Sequence, residues 1–191
     1  MIEVLDTAAA RNALARRKLR CPDCGQALKP WGRTRERTVR ELGGVLLTLR
    51  PDRARCTGCD VTHVVLDAGL LPRRAYSAGL IGQALIAAAR GRGHRPIARE
   101  LDVPRGTVRG WVRRARRPAG PLRAAGVQAV VALDPEALPA RDRPDELAYA
   151  LDALGAAAMA LGDRFGVPHA GPWARVTVLT HGRLLTLPPD G

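Results

Sequence analysis

Cysteine occurs four times in the 191 residues, as two Cys-x2-Cys pairs: CPDC ending at Cys24 and CTGC ending at Cys59. Two residues between sulfurs let a tight turn aim both at one ion, and tetrahedral Zn²⁺ takes four thiolates at about 2.3 Å. The stretch 25–55 between the pairs is long for a compact finger. It suits a ribbon, in which a β-hairpin fills the space between two metal-binding knuckles. Gly25 and Gly58 sit where such knuckles turn. Cys21, Cys24, Cys56 and Cys59 are therefore the expected ligands of a single structural Zn²⁺, with two disulfides or four free thiols as the alternative. Four thiolates leave no open position for water, which argues against a catalytic ion. His63 follows the second pair closely and reads as a plain strand residue, a ligand variant being the other reading.

The cysteine reading depends on compartment, because structural disulfides are rare in the cytosol. The longest apolar run, residues 153–162, is roughly half of what a membrane span needs. Residues 1–20 have no apolar leader core or cleavage site. A cytoplasmic protein without a membrane partner is the expectation, nucleoid-associated if it binds DNA.

Charge narrows the partners. The net charge is +13, with Arg far outnumbering Lys. Residues 1–120 hold 25 basic against 10 acidic side chains, and residues 121–191 hold 6 against 8. A basic part joined to a near-neutral part fits a polyanion-binding module followed by a packing or partner module.

Periodicity supplies the elements. Residues 6–19 predict a helix capped by Asp6 or Thr7. Residues 33–40 and 45–50 predict two strands, with Gly43-Gly44 as the hairpin turn. Residues 62–66 predict a third strand. Helices are expected over 77–90, 96–101, 105–117, 122–133 and 146–165, with a short helix from Pro172 that carries Trp173 and Val176. That last segment also alternates like a strand. The fold class is mainly α with a small β zinc ribbon. Its expected parts are an N-terminal helix (1–19), the ribbon (20–71), a three-helix helix-turn-helix domain (72–118) and a C-terminal helical region (119–191).

Residues 94–117 carry the DNA-binding expectation. Ile97, Ala98 and Leu101 share one face of a short helix, and Val103 plugs the turn. Val108, Trp111, Val112 and Ala115 then form one apolar stripe on the next helix. Its opposite face holds Gly106, Arg109, Gly110, Arg113 and Arg117, flanked by Arg105, Thr107, Arg114 and Arg116. Arg105, Thr107, Arg109 and Arg113 are expected at base edges, and Arg114, Arg116 and Arg117 at phosphates. On the hairpin, Arg33, Arg35 and Arg37 alternate, which would line one strand face for phosphate contact. A solvated face balanced by Glu36 and Glu41 is the plainer account.

The run CPDCG through RELGG to RARCTGCDVTH resembles the N-terminal zinc ribbon of bacterial insertion-sequence transposases. IARELDVPRGTVRGWVRR resembles the helix-turn-helix that follows it there, and a set of uncharacterised actinobacterial helix-turn-helix proteins of similar length. The likeness spans roughly residues 18–117. It implies zinc on the four cysteines and DNA on the third helix. Such transposases continue into a nuclease domain whose carboxylates bind two metal ions. Here Asp134, Glu136, Asp142, Asp145 and Glu146 gather in a Pro-rich loop, and His94, His169 and His181 are scattered. No enzyme activity and no small-molecule substrate are expected.

The sequence therefore points to a sequence-specific binder of double-stranded DNA, a transcriptional regulator or a domesticated transposase remnant. A protein–protein adaptor and an RNA-binding protein are the alternatives. The lack of stackable aromatics near the Arg face argues against single-stranded targets. Leu151, Leu154, Ala158, Leu161 and Phe165 form a stripe that packs within the monomer or, as the other use, against a second copy in a homodimer.

Overall fold

The computed structural model describes residues 1–139, 145–167 and 170–186. Asp142 and His169 lie outside the described residues. Helices predominate and are joined to a small mixed sheet.

The chain begins with a strand the periodicity does not announce. β1 (Ile2–Val4) lies parallel to β6 (Thr62–Asp67), with Glu3 opposite Leu66. Asp6 then caps α1 (Thr7–Ala15), its Oδ1 accepting from the Ala9 N–H at 2.8 Å. Satisfying that otherwise orphaned amide is why the helix starts there. α1 stops well short of residue 19, at Arg16, and Arg17 takes a φ of 55°. Ala10 and Leu14 pack with Leu28, Ala54, Val65, Cys21 and Cys56 in one small core.

The sheet runs β1-β6-β5-β2, with β2 (Leu28–Arg33) antiparallel to β5 (Asp52–Cys56) and β5 antiparallel to β6. β2 contains Pro30 and Gly32, which weaken a strand signal in sequence. Its edge position accommodates a proline, since one side needs no N–H. The expected hairpin exists, but it is shorter and separate. β3 (Arg37–Arg40) pairs with β4 (Leu46–Leu49) in a two-stranded sheet of its own. Gly43 and Gly44 turn it with φ of 72° and 78°, values that favour glycine. Val39 anchors it on Leu66 and Leu70.

The helical half holds the larger core. Ser77 caps α2 (Ala78–Ala89) through the Leu80 N–H at 3.1 Å. α3 (His94–Glu100) and α4 (Arg105–Arg116) follow, both in contact with α2 or each other, with Val103 buried in the turn between them. Pro118 does not halt the helices: α5 (Ala119–Leu133) starts at the next residue, and Pro121 falls in its first turn, where the missing N–H costs nothing. α6 (Glu146–Phe165) is capped by Asp145 and packs closely along α5. Gly126 permits that approach, because a Cβ there would come within 2.8 Å of the Leu154 nitrogen. α7 (Pro172–Leu179) takes up the alternating RVTVL segment as helix. Its Trp173 seats over Gly82 of α2, where any Cβ would collide with the indole. Arg175, buried, donates to the Ala158 and Val167 carbonyls at 3.1 Å each, so α7 closes the end of α6. No helix among the described residues is long and apolar enough to cross a membrane.

Candidate metal centre and basic helix face

Two matching turns carry the cysteines. In the first, the Cys21 N–H donates to the Gln26 carbonyl at 2.9 Å; in the second, the Cys56 N–H donates to the Val61 carbonyl at 2.9 Å. The residue after each pair takes a positive φ, Gly25 at 72° and Asp60 at 64°. Gly58 has a different reason to be small. A Cβ there would press within 2.7 Å of Gln26.

The turns bring all four sulfurs within 4.8 Å of one another. Cys24 Sγ lies 3.3 Å from Cys56 Sγ, and Cys21 Sγ lies 3.7 Å from Cys59 Sγ. Those distances exceed a disulfide bond, at about 2.05 Å, by far. They approach the sulfur–sulfur edge of a tetrahedral four-thiolate site, about 3.8 Å. Cys21 and Cys56 are buried while Cys24 and Cys59 are exposed, so the site sits at the rim of the small core.

Electrostatics favour a cation here. Burial pushes the Cys56 thiol up, but hydrogen bonds from the Cys59 and Gly58 N–H groups and from the Cys24 and Cys59 thiols outweigh it and hold its pKa at about 6. Cys59 moves the other way, to about 12: the Val61 N–H favours its thiolate, but burial and the neighbouring thiols Cys24, Cys56 and Cys21 oppose it. One negative charge therefore forms readily, on Cys56, and a second on Cys59 is resisted. A divalent cation removes that resistance, which is the chemistry this donor set fits.

His63 is buried beside the cluster, with Nε2 3.4 Å from Cys21 Sγ and 3.7 Å from Asp23 Oδ2. It is a strand residue of β6 whose ring faces the cluster. Cys21, Asp23 and His63 form a second group of adjacent donors.

The basic residues divide by element. Val108, Trp111, Val112 and Ala115 of α4 are buried as the stripe requires, and Tyr76 meets Trp111 edge-on at 5.0 Å. Arg105, Arg109, Arg113, Arg116 and Arg117 are exposed, and Thr107 and Arg114 are half-buried. Among the described residues, Arg105, Arg109, Arg113 and Arg117 make no ion pair, while Arg116 reaches Asp145 at 3.2 Å. Arg114 lies folded toward Gly110. Burial, then the nearby charges of Arg74 and Arg113, lower its pKa. Residues 21–114 match the family described as a domain of unknown function (DUF6431). That match begins at the first cysteine and ends near the last turn of α4, so one family unit takes in both the thiol cluster and the basic helix. No curated protein and no solved structure matches the chain.

The other three arginines do not share a strand face. Arg33 ends β2 and pairs with Asp52 at 3.1 Å, Arg35 lies exposed in the following loop, and Arg37 opens β3 in the other sheet. Burial lowers the Arg37 pKa, and two of its nitrogens are buried without a partner among the described residues. Sequence reasoning missed Trp31. It is exposed on β2, with the Arg55 guanidinium 4.6 Å from its ring centroid and the Lys29 ammonium 6.0 Å away. An aromatic does therefore stand among the cations, and the spacing Lys29-x-Trp31-x-Arg33 was the available signal.

Proposed function

We propose that this chain is a non-enzymatic, sequence-reading binder of double-stranded DNA, with α3 and α4 as a helix-turn-helix and one structural Zn²⁺ held by Cys21, Cys24, Cys56 and Cys59. The observation that carries the reading is the two-sidedness of α4. One side is closed into the core, while the other presents Arg105, Arg109 and Arg113 on successive turns with no acidic partner among the described residues. Arg pairs bidentately with guanine O6 and N7, and each such pair discriminates by about 1–3 kcal/mol. Gly106 keeps that side low, which suits entry into a major groove. Arg117 and, from the ribbon, Arg35, both exposed, would take phosphates. The role is that of a transcriptional regulator or a domesticated transposase remnant in the cytoplasm, working as a dimer where its site is palindromic.

Salt dependence tests this. With roughly six phosphate contacts, log affinity for duplex falls against log salt with a slope of about −5. Arg109→Ala flattens sequence preference in a selection from random duplexes. Arg117→Ala weakens all sequences alike and lowers the slope by about 1. The Arg116→Ala effect is smaller, because Asp145 already engages that side chain. A slope near zero rejects the proposal.

One observation favours a second reading, an adaptor that docks proteins. Leu42, Val45, Leu46 and Leu47 are exposed together at the β3–β4 hairpin.

A further inference from the structure

The outer face of the four-stranded sheet has a chemistry that neither the thiols nor α4 uses. Leu28, Ala54 and Cys56 turn into the small core. Strand alternation, with Lys29 opposite Arg55, puts Lys29, Arg53 and Arg55 on the other side. Trp31 joins them there, since both Lys29 and Arg55 reach its ring. Thr62, opposite Arg55 on β6, is exposed next to them. The local counter-charge is Asp60, paired to Arg55.

Trp31 remains 43% exposed on an edge strand, so the sheet leaves much of its largest apolar side chain in water. A flat π surface set among cations fits a flat, electron-rich ring whose chain carries negative charge. A nucleobase with its phosphates has both properties. Bases within a duplex are stacked on each other and present no free face, so the fitting ligand is unpaired. A phosphate alone would make no use of the indole, and an uncharged peptide would make no use of the cations.

We infer that this face is a stacking platform for an unpaired nucleobase of a single-stranded DNA or RNA segment. Trp31 takes the base, and Lys29, Arg53 and Arg55 take the flanking phosphates. The inference does not rest on the α4 reading, because the two use different elements.

The test is fluorescence anisotropy on the full, metal-loaded chain. The probes are a labelled oligothymidine, the matching oligouridine, an abasic strand of equal length and a duplex. The expected result is that Trp31→Ala weakens binding of at least one base-bearing strand by about tenfold. Trp31→Phe restores most of it, and binding of the abasic strand and the duplex stays unchanged. The preferred sugar identifies DNA or RNA as the source. Metal content and circular dichroism establish that each variant is folded. Three results overturn the inference: no binding of either base-bearing strand by the wild type, no loss in Trp31→Ala, or equal loss on the abasic strand. Arg109→Ala separates the two sites, since it impairs duplex binding and leaves single-strand binding intact. Duplex binding that persists without single-strand binding sinks the platform and spares α4.

Discussion

His63 lies next to the thiols, with Nε2 3.4 Å from Cys21 Sγ. Burial first, and the nearby positive amino terminus second, lower the His63 pKa against a weaker opposing pull from Asp23, and the lowered pKa favours the neutral ring. The Met1 nitrogen lies 3.4 Å from Nδ1 and can only donate, which makes Nδ1 the acceptor. The ring proton then sits on Nε2, aimed at Cys21 Sγ. A hydrogen bond to a metal-bound thiolate spreads its charge and fixes its direction. Removing such a partner commonly costs 10- to 100-fold in metal affinity. His63→Ala is accordingly expected to lower zinc affinity by about that factor in a chelator competition. The cobalt-substituted protein should keep its four-thiolate spectrum. A changed spectrum would mean that His63 is itself a ligand.

At the scale of elements, the proposed recognition role of α4 is set against stability. Gly106 has nothing within 4 Å of the place a Cβ would occupy, so the core has no need of a glycine there. Glycine costs a helix up to about 1 kcal/mol relative to alanine. Gly106→Ala should therefore raise the unfolding midpoint slightly while weakening duplex binding, because the added methyl stands on the side proposed to enter the groove. Stabilisation with unchanged duplex affinity would count against that placement. On the buried side, Trp111→Ala should cost about 3–5 kcal/mol in denaturant unfolding, since the indole is closed in and packed on Tyr76. This division was readable in the sequence because Val108, Trp111, Val112 and Ala115 repeat at helical spacing and Arg fills the gaps. α2 and α6 were readable for the same reason. β1, β2 and β5 were not. Three residues hold too little pattern to announce β1, whose partner β6 comes from far along the chain. Pro30 and Gly32 disguise β2. With β2 unread, Trp31 had no face to belong to, and Arg33 was assigned to the wrong strand.

Across the whole molecule, the two halves differ in what holds them. The helical half buries Leu, Ile, Val and Trp side chains from α2, α4, α5, α6 and α7 in one continuous core. The sheet half buries little beyond Ala10, Leu14, Leu28, Ala54 and Val65 around two of the cysteines and a separate small cluster of Val39, Leu66 and Leu70. A core that small does not offset the entropy of ordering β1, α1 and three further strands, whereas binding a structural zinc ion contributes about 10–16 kcal/mol in small domains. The halves meet through Leu71, the Arg40–Asp102 pair, backbone hydrogen bonds from Arg40 to Ala75, from Ser77 to Arg40 and from Ala78 to Gly69, and α7 against β1, but the larger core belongs to the helical half. Chelation should therefore unfold the sheet and leave the helices. In hydrogen exchange, amides of β2, β5 and β6 should lose protection on metal removal, while those of α2, α4 and α6 keep it. Far-UV circular dichroism should retain most of its helical signal, and a thermal melt should still show one cooperative transition. Duplex affinity should fall but not vanish, because α4 keeps its support while the ribbon's arginines lose theirs. Simultaneous loss of protection in α4 and β5 would mean that the metal organises the entire chain, and the division of labour argued from the two cores would be wrong.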